Sequence, residues 1–522
     1  MSAASPQGAG ASAAGASVGL NRGMITLSTM MATIMQALDT TIANVALPHM
    51  QGSMAATQEQ ISWVLTSYIV AAAIMTPPTG ILAARLGRKR LFVIAVVGFT
   101  IASMLCGAAT SLTEIVIFRL LQGVFGASLV PLSQSVLLDT YPREKHGQAM
   151  AIWGVGVMVG PILGPTLGGY LTDLYNWRWV FYINLPFGIL ALLGILAFVP
   201  ETEKDPSRRF DVFGFALLSL AIGALQMMLD RGQSRDWFSS TEIIAETVIA
   251  GLAFYLFLVH MFTAEKPFIE PGLFKDKNFT VGVSFMFMIG IILLSTMALL
   301  PPFLQDLMGY PVVTTGLVLA PRGVGTMVAM FVVGRLLGKI APRWLIIAGL
   351  GFLSISLWDM SQFTPDVSME TLLWTGIVQG LGFGFVFVPL TTIAFATLAP
   401  HYRTEGTAMF SLIRNIGSSI GVSVAITLLA QGTQIVHAGI ANSMNPFRDM
   451  MMKPWLPEMW DWTTQSGVMA LNEAVTRQAS TIAYLNDFTF MMWVTIAALP
   501  LALLLKAPKS ATPADGAAIA ME

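Results

Sequence analysis

Four ionisable side chains stand where an ionisable side chain is costly. Asp39, Arg119, Arg322 and Arg414 each fall inside a long apolar run, of the ~20-residue length that crosses ~30 Å of hydrocarbon. A charge at that depth costs several kcal/mol by insertion scales, so it is retained mainly where it faces a protein interior or a water-filled path and finds a partner. Asp39, in Leu38-Asp39-Thr40-Thr41-Ile42-Ala43-Asn44-Val45-Ala46-Leu47-Pro48, lies about 12 Å from the outer end of the first run, and Arg119 about 8 Å from the same side of the fourth. Matching depths allow a carboxylate to meet a guanidinium. Such a pair is either a static structural charge or a site where a proton competes with the cation for the acid, which couples protonation to a change of shape. Arg322 lies near the middle of the tenth run and Arg414 about eight residues into the thirteenth. Each needs an acidic, backbone or anionic-substrate partner, and the sequence names none. Glu114, Asp211, Asp230, Glu242, Asp306, Asp359 and Asp487 read as helix-end or loop acids, where solvent and N-terminal dipoles suffice; Asp211 and Asp230 stand out among them because they bracket the seventh run.

The elements that position these groups are membrane helices. With 522 residues, 55% hydrophobic and 11% charged, and a mean hydropathy of +0.70, the chain is far too apolar for a soluble protein, where about a quarter of residues carry charge. Apolar runs fall near 24–47, 61–83, 91–110, 114–138, 148–171, 177–199, 210–229, 241–263, 279–300, 313–336, 344–363, 370–395, 406–429 and 486–505. Fourteen helices put both termini on one side, and most of the 28 Lys and Arg residues fall in the loops of that side, which predicts cytoplasmic termini. Residues 1–23, rich in Ala, Gly and Ser, read as a disordered tail, and 506–522 as a second one. A net charge of −1 gives no argument for nucleic acid. The lone Cys106 excludes an intrachain disulfide. No phosphate-loop or His-Glu-x-x-His pattern is present and the five histidines are scattered, so neither ATP hydrolysis nor zinc chemistry has support, and an enzyme, a resident metal or a cofactor is not expected.

The chain repeats itself. Gly80-Ile-Leu-Ala-Ala-Arg-Leu-Gly-Arg-Lys echoes Gly334-Arg-Leu-Leu-Gly-Lys-Ile-Ala-Pro-Arg, 254 positions on; Gln122-Gly123 echoes Gln379-Gly380, 257 positions on. Two copies of one bundle with about two helices between them satisfy that spacing. The expected organisation is a six-helix bundle at 24–199, two inserted helices within 200–278, and a second six-helix bundle at 279–505. The last helix breaks register, which implies an external insertion, a long loop at about 431–485 with Trp455, Trp460 and Trp462.

Helix 5 carries Gly160, Gly164 and Gly168 at a spacing of four, with Pro161, Pro165 and Gly169 beside them. Small residues on one face let backbones approach closely. Together with Leu38-Asp39-x-Thr41-Ile-Ala-Asn44-Val-Ala-Leu-Pro48, Arg119-x-x-Gln122-Gly123, Trp177-Arg-Trp-Val-Phe-Tyr-Ile-Asn184-x-Pro186-x-Gly188 and Leu229-Asp230-Arg231-Gly232, this stripe makes the chain resemble the 14-helix drug:proton antiporters of the major facilitator superfamily, in particular the EmrB-type multidrug exporters.

The resemblance implies an all-α, two-bundle fold and a proton-coupled antiporter that exports hydrophobic or amphipathic drugs across a bacterial inner membrane by alternating access. It implies partners as well: a periplasmic adaptor of the EmrA kind and a TolC-like outer-membrane channel. A proton-coupled carrier for one metabolite or siderophore is the alternative. The loop after helix 2 matches the superfamily pattern at Gly80, Arg85, Gly87 and Arg88, but Ala84 stands where that pattern has an acid, which leaves its charge latch without a carboxylate. Helices that line the cavity in this fold carry Met35, Gln36, Asn44, Gln122, Met286 and Gln379, the expected substrate contacts.

Overall fold

The computed structural model describes residues 21–202, 204–205, 210–443 and 464–505. Residues 1–20 and 506–522 and the three tryptophans at 455, 460 and 462 lie outside these residues, and no strand occurs within them; α1 begins at Arg22, inside the expected tail at 1–23. The first bundle comprises α1 (Arg22–Ser53), α2 (Gln58–Met75), α3 (Thr79–Leu86), α4 (Arg88–Ala108), α5 (Leu112–Gly126), α6 (Leu129–Thr140), α7 (His146–Leu174), α8 (Trp179–Tyr182) and α9 (Asn184–Phe198). Next come α10 (Val212–Arg231) and α11 (Thr241–Thr263). The second bundle comprises α12 (Lys277–Pro302), α13 (Val312–Leu336), α14 (Pro342–Met360), α15 (Met369–Ala396), α16 (Arg403–Ser443), α17 (Gln465–Ala497) and α18 (Leu499–Leu504).

Helix ends follow local chemistry. Thr57 and Gln60 form a reciprocal capping box that starts α2, satisfying two backbone donors that a helix start leaves free. The Thr76-Pro77-Pro78 break bends α2 against α3 by 59°, as proline requires. Among the described residues, twelve helical segments are long and apolar enough to cross a membrane, and α2 with α3 is a thirteenth, bent, candidate. Helix α1 is too rich in polar residues to pass that test, yet its buried face, including Thr29, Thr33 and Asp39, packs against α6, α7 and α9. That face is shielded by protein rather than by lipid, which is why its polar residues are tolerated where fourteen helices are expected.

The long repeat has a structural meaning. A Cβ on Gly80 of α3 would lie 3.0 Å from Glu405 Cα of α16, and one on Gly334 of α13 would lie 3.0 Å from Ala151 Cβ of α7. Each copy of the echoed glycine therefore presses its bundle against the other one, and α13 packs along α7 from Leu337 against Gly147 to Gly323 against Ile162. Helix α10 wedges against both α2 and α16, and α11 packs chiefly on α10. Only 22% of the span of α11 is buried, as expected of a helix that faces lipid on most sides.

The flanks of the expected external loop are helical. Helix α16 runs 41 residues and α17 begins at Gln465, twenty-one residues ahead of the expected start near 486. The two extensions pair: Gly432 approaches Ala483, and His437 Nε2 lies 3.0 Å from Asn472 Oδ1. Hydropathy finds only the apolar part of a helix, and here the helices continue with a polar, one-sided pattern beyond it.

Candidate functional site

The groups around Asp39 come from six helices, α1, α2, α4, α5, α8 and α9. Asp39 is fully buried in α1, and Arg119 of α5 is 1% exposed. Arg119 Nη1 donates to Asp39 Oδ2 at 2.7 Å and to Gln122 Oε1 at 2.8 Å, while Arg119 Nε donates to the Val64 carbonyl of α2 at 3.1 Å. Asp39 Oδ1 accepts from Gln122 Nε2 at 2.7 Å and from Asn184 Nδ2 of α9 at 2.9 Å. Asn184 also donates to Ser103 Oγ of α4, which itself donates to the Phe181 carbonyl. The guanidinium lies 4.3 Å from the ring centroid of Tyr68, whose hydroxyl accepts from Gln36 Nε2 at 3.2 Å. Both carboxyl oxygens are thus held by charged or amide donors, the arrangement that makes a buried pair tolerable. Helix α1 continues to Ser53, so Asp39 lies about 21 Å from its far end, deeper than the run of apolar residues implies.

The glycine stripe acts on this turn of α1. A Cβ on Gly160 would lie 2.3 Å from the Ala37 carbonyl oxygen, one on Gly164 2.1 Å from Thr41 Oγ1, and one on Gly168 2.9 Å from Ile42 Cγ1. Thr41 Oγ1 donates to the Gly160 carbonyl at 3.0 Å. Three glycines of α7 therefore seat α1 on either side of Asp39. Gly169 faces open space, and Pro165 lies within α7 between Gly164 and Gly168.

Loop residues after α3 form a different device. Gly87 has φ +86°, a conformation side chains disfavour, and a Cβ there would collide with Glu201 Oε1. Arg88 pairs with Asp139 at the end of α6, and Asp139 also binds Arg403 at the start of α16. The acid absent at position 84 is supplied by Asp139, from a helix the loop pattern does not cover; Arg85 is exposed. With Ser135 Oγ 2.9 Å from Thr404 Oγ1 and Thr407 Oγ1 donating to the Pro131 carbonyl, the two bundles are clasped on the side where α1 begins and α18 ends.

The remaining expected groups are dispersed. Arg322 Nη2 donates to Thr296 Oγ1 at 3.1 Å, and its guanidinium lies 5.1 Å from the Phe383 ring. Arg414 Nη2 donates to Asn415 Oδ1 at 3.4 Å. Among the described residues neither forms an ion pair. Asp211 caps α10, accepting from Gly214 N and Phe268 N and lying 2.8 Å from His260 Nε2. Asp230, at the other end of α10, accepts from Thr66 Oγ1. None of these four is bonded to Asp39 or Arg119. Gln36 and Gln122 belong to the network, and Asn44 is exposed one turn beyond Thr40. Met35 and Met286 are packed in the cores of their bundles rather than on an open surface; Gln379 is fully buried with Oε1 unpartnered.

Sequence reasoning does not single out Ser103, Tyr68 or Asp139, has Asn184 only as part of the family motif, and reads Asp487 as a helix-end acid. Asn184 carried a usable signal, an amide at the head of an otherwise apolar helix. Asp487 was placed at a helix end only because the last apolar run begins beside it; it lies 22 residues into α17 and is 3% exposed.

The description "Major Facilitator Superfamily" fits residues 29–422 of this sequence. The chain belongs to the major facilitator superfamily. It is 38% identical over 426 residues to "Multidrug export protein EmrB" of Escherichia coli (strain K12), covering 81% of this chain and 83% of that protein. It is 35% identical over 491 residues to "Fatty acid resistance protein FarB" of Neisseria gonorrhoeae, covering 93% and 96%. The solved human organic anion transporter MFSD10 (TETRAN) superposes with a TM-score of 0.58 at 14% identity, over 91% of this chain and 99% of that one, a likeness of fold alone. The protein is a multi-pass membrane transporter of this superfamily.

Proposed function

We propose that this superfamily member is a proton-coupled antiporter that exports hydrophobic or amphipathic drugs from a bacterial inner membrane by alternating access, with both termini cytoplasmic. The observation that carries the reading is the Asp39 to Arg119 pair, fully buried and seated against the glycines of α7. As a pair the two groups sum to zero charge, the form a buried site tolerates. A proton on Asp39 leaves the Arg119 guanidinium without its counter-charge, so protonation and movement of α1 against α5 are linked. In this reading the side clasped at Asp139 is the cytoplasmic one, which the two ion pairs across the bundles would hold closed. Export against a gradient follows if substrate and proton bind this bundle alternately.

The relatives' names support the drug class: EmrB is a multidrug export protein, and EmrY of Escherichia coli (strain K12) is a probable multidrug resistance protein. A periplasmic adaptor and a TolC-like outer-membrane channel complete the reading, with the paired extensions of α16 and α17 as the adaptor's seat. The test is substrate-driven proton release in everted vesicles. Asp39→Asn is expected to abolish it with unchanged protein in the membrane; intact coupling in that variant overturns the proposal.

A second reading, a carrier for one anionic amphiphile such as a fatty acid, is favoured by Arg322, buried with no carboxylate partner among the described residues, and by the name of FarB. Competition between a fatty acid and a cationic dye for the same flux separates the two.

A further inference from the structure

A cavity of about 160 Å³ opens between α12, α16 and α17, in the bundle that lacks the Asp39 network. Its wall is almost entirely apolar, with Ile291, Val424, Phe490 and Val494 among its lining residues, but two polar side chains also face it: Asp487 of α17 and Ser295 of α12. Asp487 is 3% exposed and Ser295 1%. Asp487 Oδ2 and Ser295 Oγ, on different helices, both lack a hydrogen-bond partner. An orphaned buried polar atom costs about 1–3 kcal/mol, and an acid in an apolar membrane setting more. Two such atoms converging on one space is the pattern of a site that a ligand completes. Gly421 sets the shape: a Cβ there would lie 2.6 Å from Ile291 Cα and 2.8 Å from Ser295 Oγ.

We propose that this cavity binds a protonated organic amine carried on a small apolar group. Its N–H donates to Asp487 Oδ2, the carboxylate is its counter-charge, Ser295 Oγ faces the charged head, and the apolar walls take the stem. The size fits, since apolar cavities of ~150 Å³ accept a benzene-sized guest. No basic residue lines the cavity, which disfavours an anion, and Phe490, 42% exposed, gives a lateral approach from the lipid side. The inference is independent of the proton-coupling reading, because it uses none of the residues around Asp39.

The test is equilibrium binding of radiolabelled N,N-dimethylbenzylamine, protonated at neutral pH, to the full-length protein in lipid nanodiscs. Binding is expected to be saturable and not displaced by isobutylbenzene, the carbon isostere, or by benzoate. Asp487→Asn is expected to weaken it at least tenfold, and Ala425→Leu, which fills the cavity and keeps the acid, to abolish it. If either variant fails to fold, the parent protein decides the matter. A hydrophobic carbodiimide should label Asp487, as mapped by peptide mass, and the amine but not isobutylbenzene should suppress that labelling. Parent-like binding in both folded variants, equal displacement by isobutylbenzene, or labelling that the amine leaves unchanged overturns the proposal.

Discussion

Replacing Gly160 by alanine tests whether close approach of α7 to α1 holds the Asp39 network in place. The added Cβ would lie 2.3 Å from the Ala37 carbonyl oxygen and 2.4 Å from its carbonyl carbon. These are backbone atoms of α1, so no rotamer change relieves the collision, and ordinary contact at 3.4 Å or more requires the helices to part by about 1 Å. Asp39 lies two residues further on, with three polar contacts, to Arg119, Gln122 and Asn184, between 2.7 and 2.9 Å, and Arg119 donates to Gln122 beside it at 2.8 Å. A displacement of ~1 Å takes such contacts past hydrogen-bonding range. Overpacking of this kind costs about 1–3 kcal/mol, while alanine itself improves helix propensity by up to about 1 kcal/mol in water, so any loss must come from the contact. The expected outcome is a thermal midpoint lowered by a few degrees and transport reduced at least tenfold, with normal membrane levels, measured by melting of purified protein and by dye efflux. Gly169→Ala, on the same helix but facing open space, is the control and should match the parent. Parent-like efflux and melting in Gly160→Ala, or equal damage from Gly169→Ala, refutes the reasoning.

Three further outcomes follow from the same geometry. Asn184→Ala removes the amide that holds both Asp39 and Ser103; it should cost about 1–3 kcal/mol of stability and shift the pH profile of transport, whereas an unchanged profile assigns Asn184 to packing. Asp139→Asn frees Arg88 and Arg403, and single cysteines placed near Ser135 should then react faster with a membrane-impermeant maleimide added on the side where α1 begins; no acceleration argues against a clasp. The double change Asp39→Ile with Arg119→Leu should leave melting near the parent value, since exchanging a buried pair for apolar residues is close to neutral while removing one partner costs about 3–5 kcal/mol, yet it should abolish substrate-driven proton release.

How much of this was legible in the sequence depends on what kind of signal each residue carried. Membrane helices were readable because burial in lipid demands long apolar runs, and α11 lies at 241–263, the same span as its apolar run. The apolar run within α16 ends near 429 because its continuation to Ser443 is polar, and the polar first half of α17 hides that helix's start in the same way. Asp39 and Arg119 were visible as charges out of place. Ser103 and Tyr68 are not, because a neutral polar residue in an apolar run is cheap enough to need no partner until the fold supplies one, whereas Asn184 shows only as an amide at the head of an apolar helix. Asp139, the clasp acid, was hidden by distance along the chain: it is 51 positions from Arg88 and 264 from Arg403, and only the packing of two bundles brings the three together.

The internal repeat supplies a control that the protein carries within itself. Gly160 and Gly164 of α7 press on Ala37 and Thr41 of α1; 257 positions on, Gly417 and Gly421 of α16 press on Phe287 and Ile291 of α12. The two contacts are the same contact in two bundles, and Phe287 and Ile291 each lie 250 positions after Ala37 and Thr41. By that register the counterpart of Asp39 is Ile289, buried at 3% exposure among apolar neighbours. The register of Gln122-Gly123 with Gln379-Gly380 makes Gly376 the counterpart of Arg119. The second bundle therefore builds the same helix pair with neither the acid nor the guanidinium. Packing does not require them, since an isoleucine and a glycine serve in the other copy. A static structural role for the pair loses its main support, because the structure it would serve forms without it. A charge pair that costs free energy to bury and that the scaffold can omit is what the proposed proton-coupling role predicts, and the double change Asp39→Ile with Arg119→Leu tests it directly.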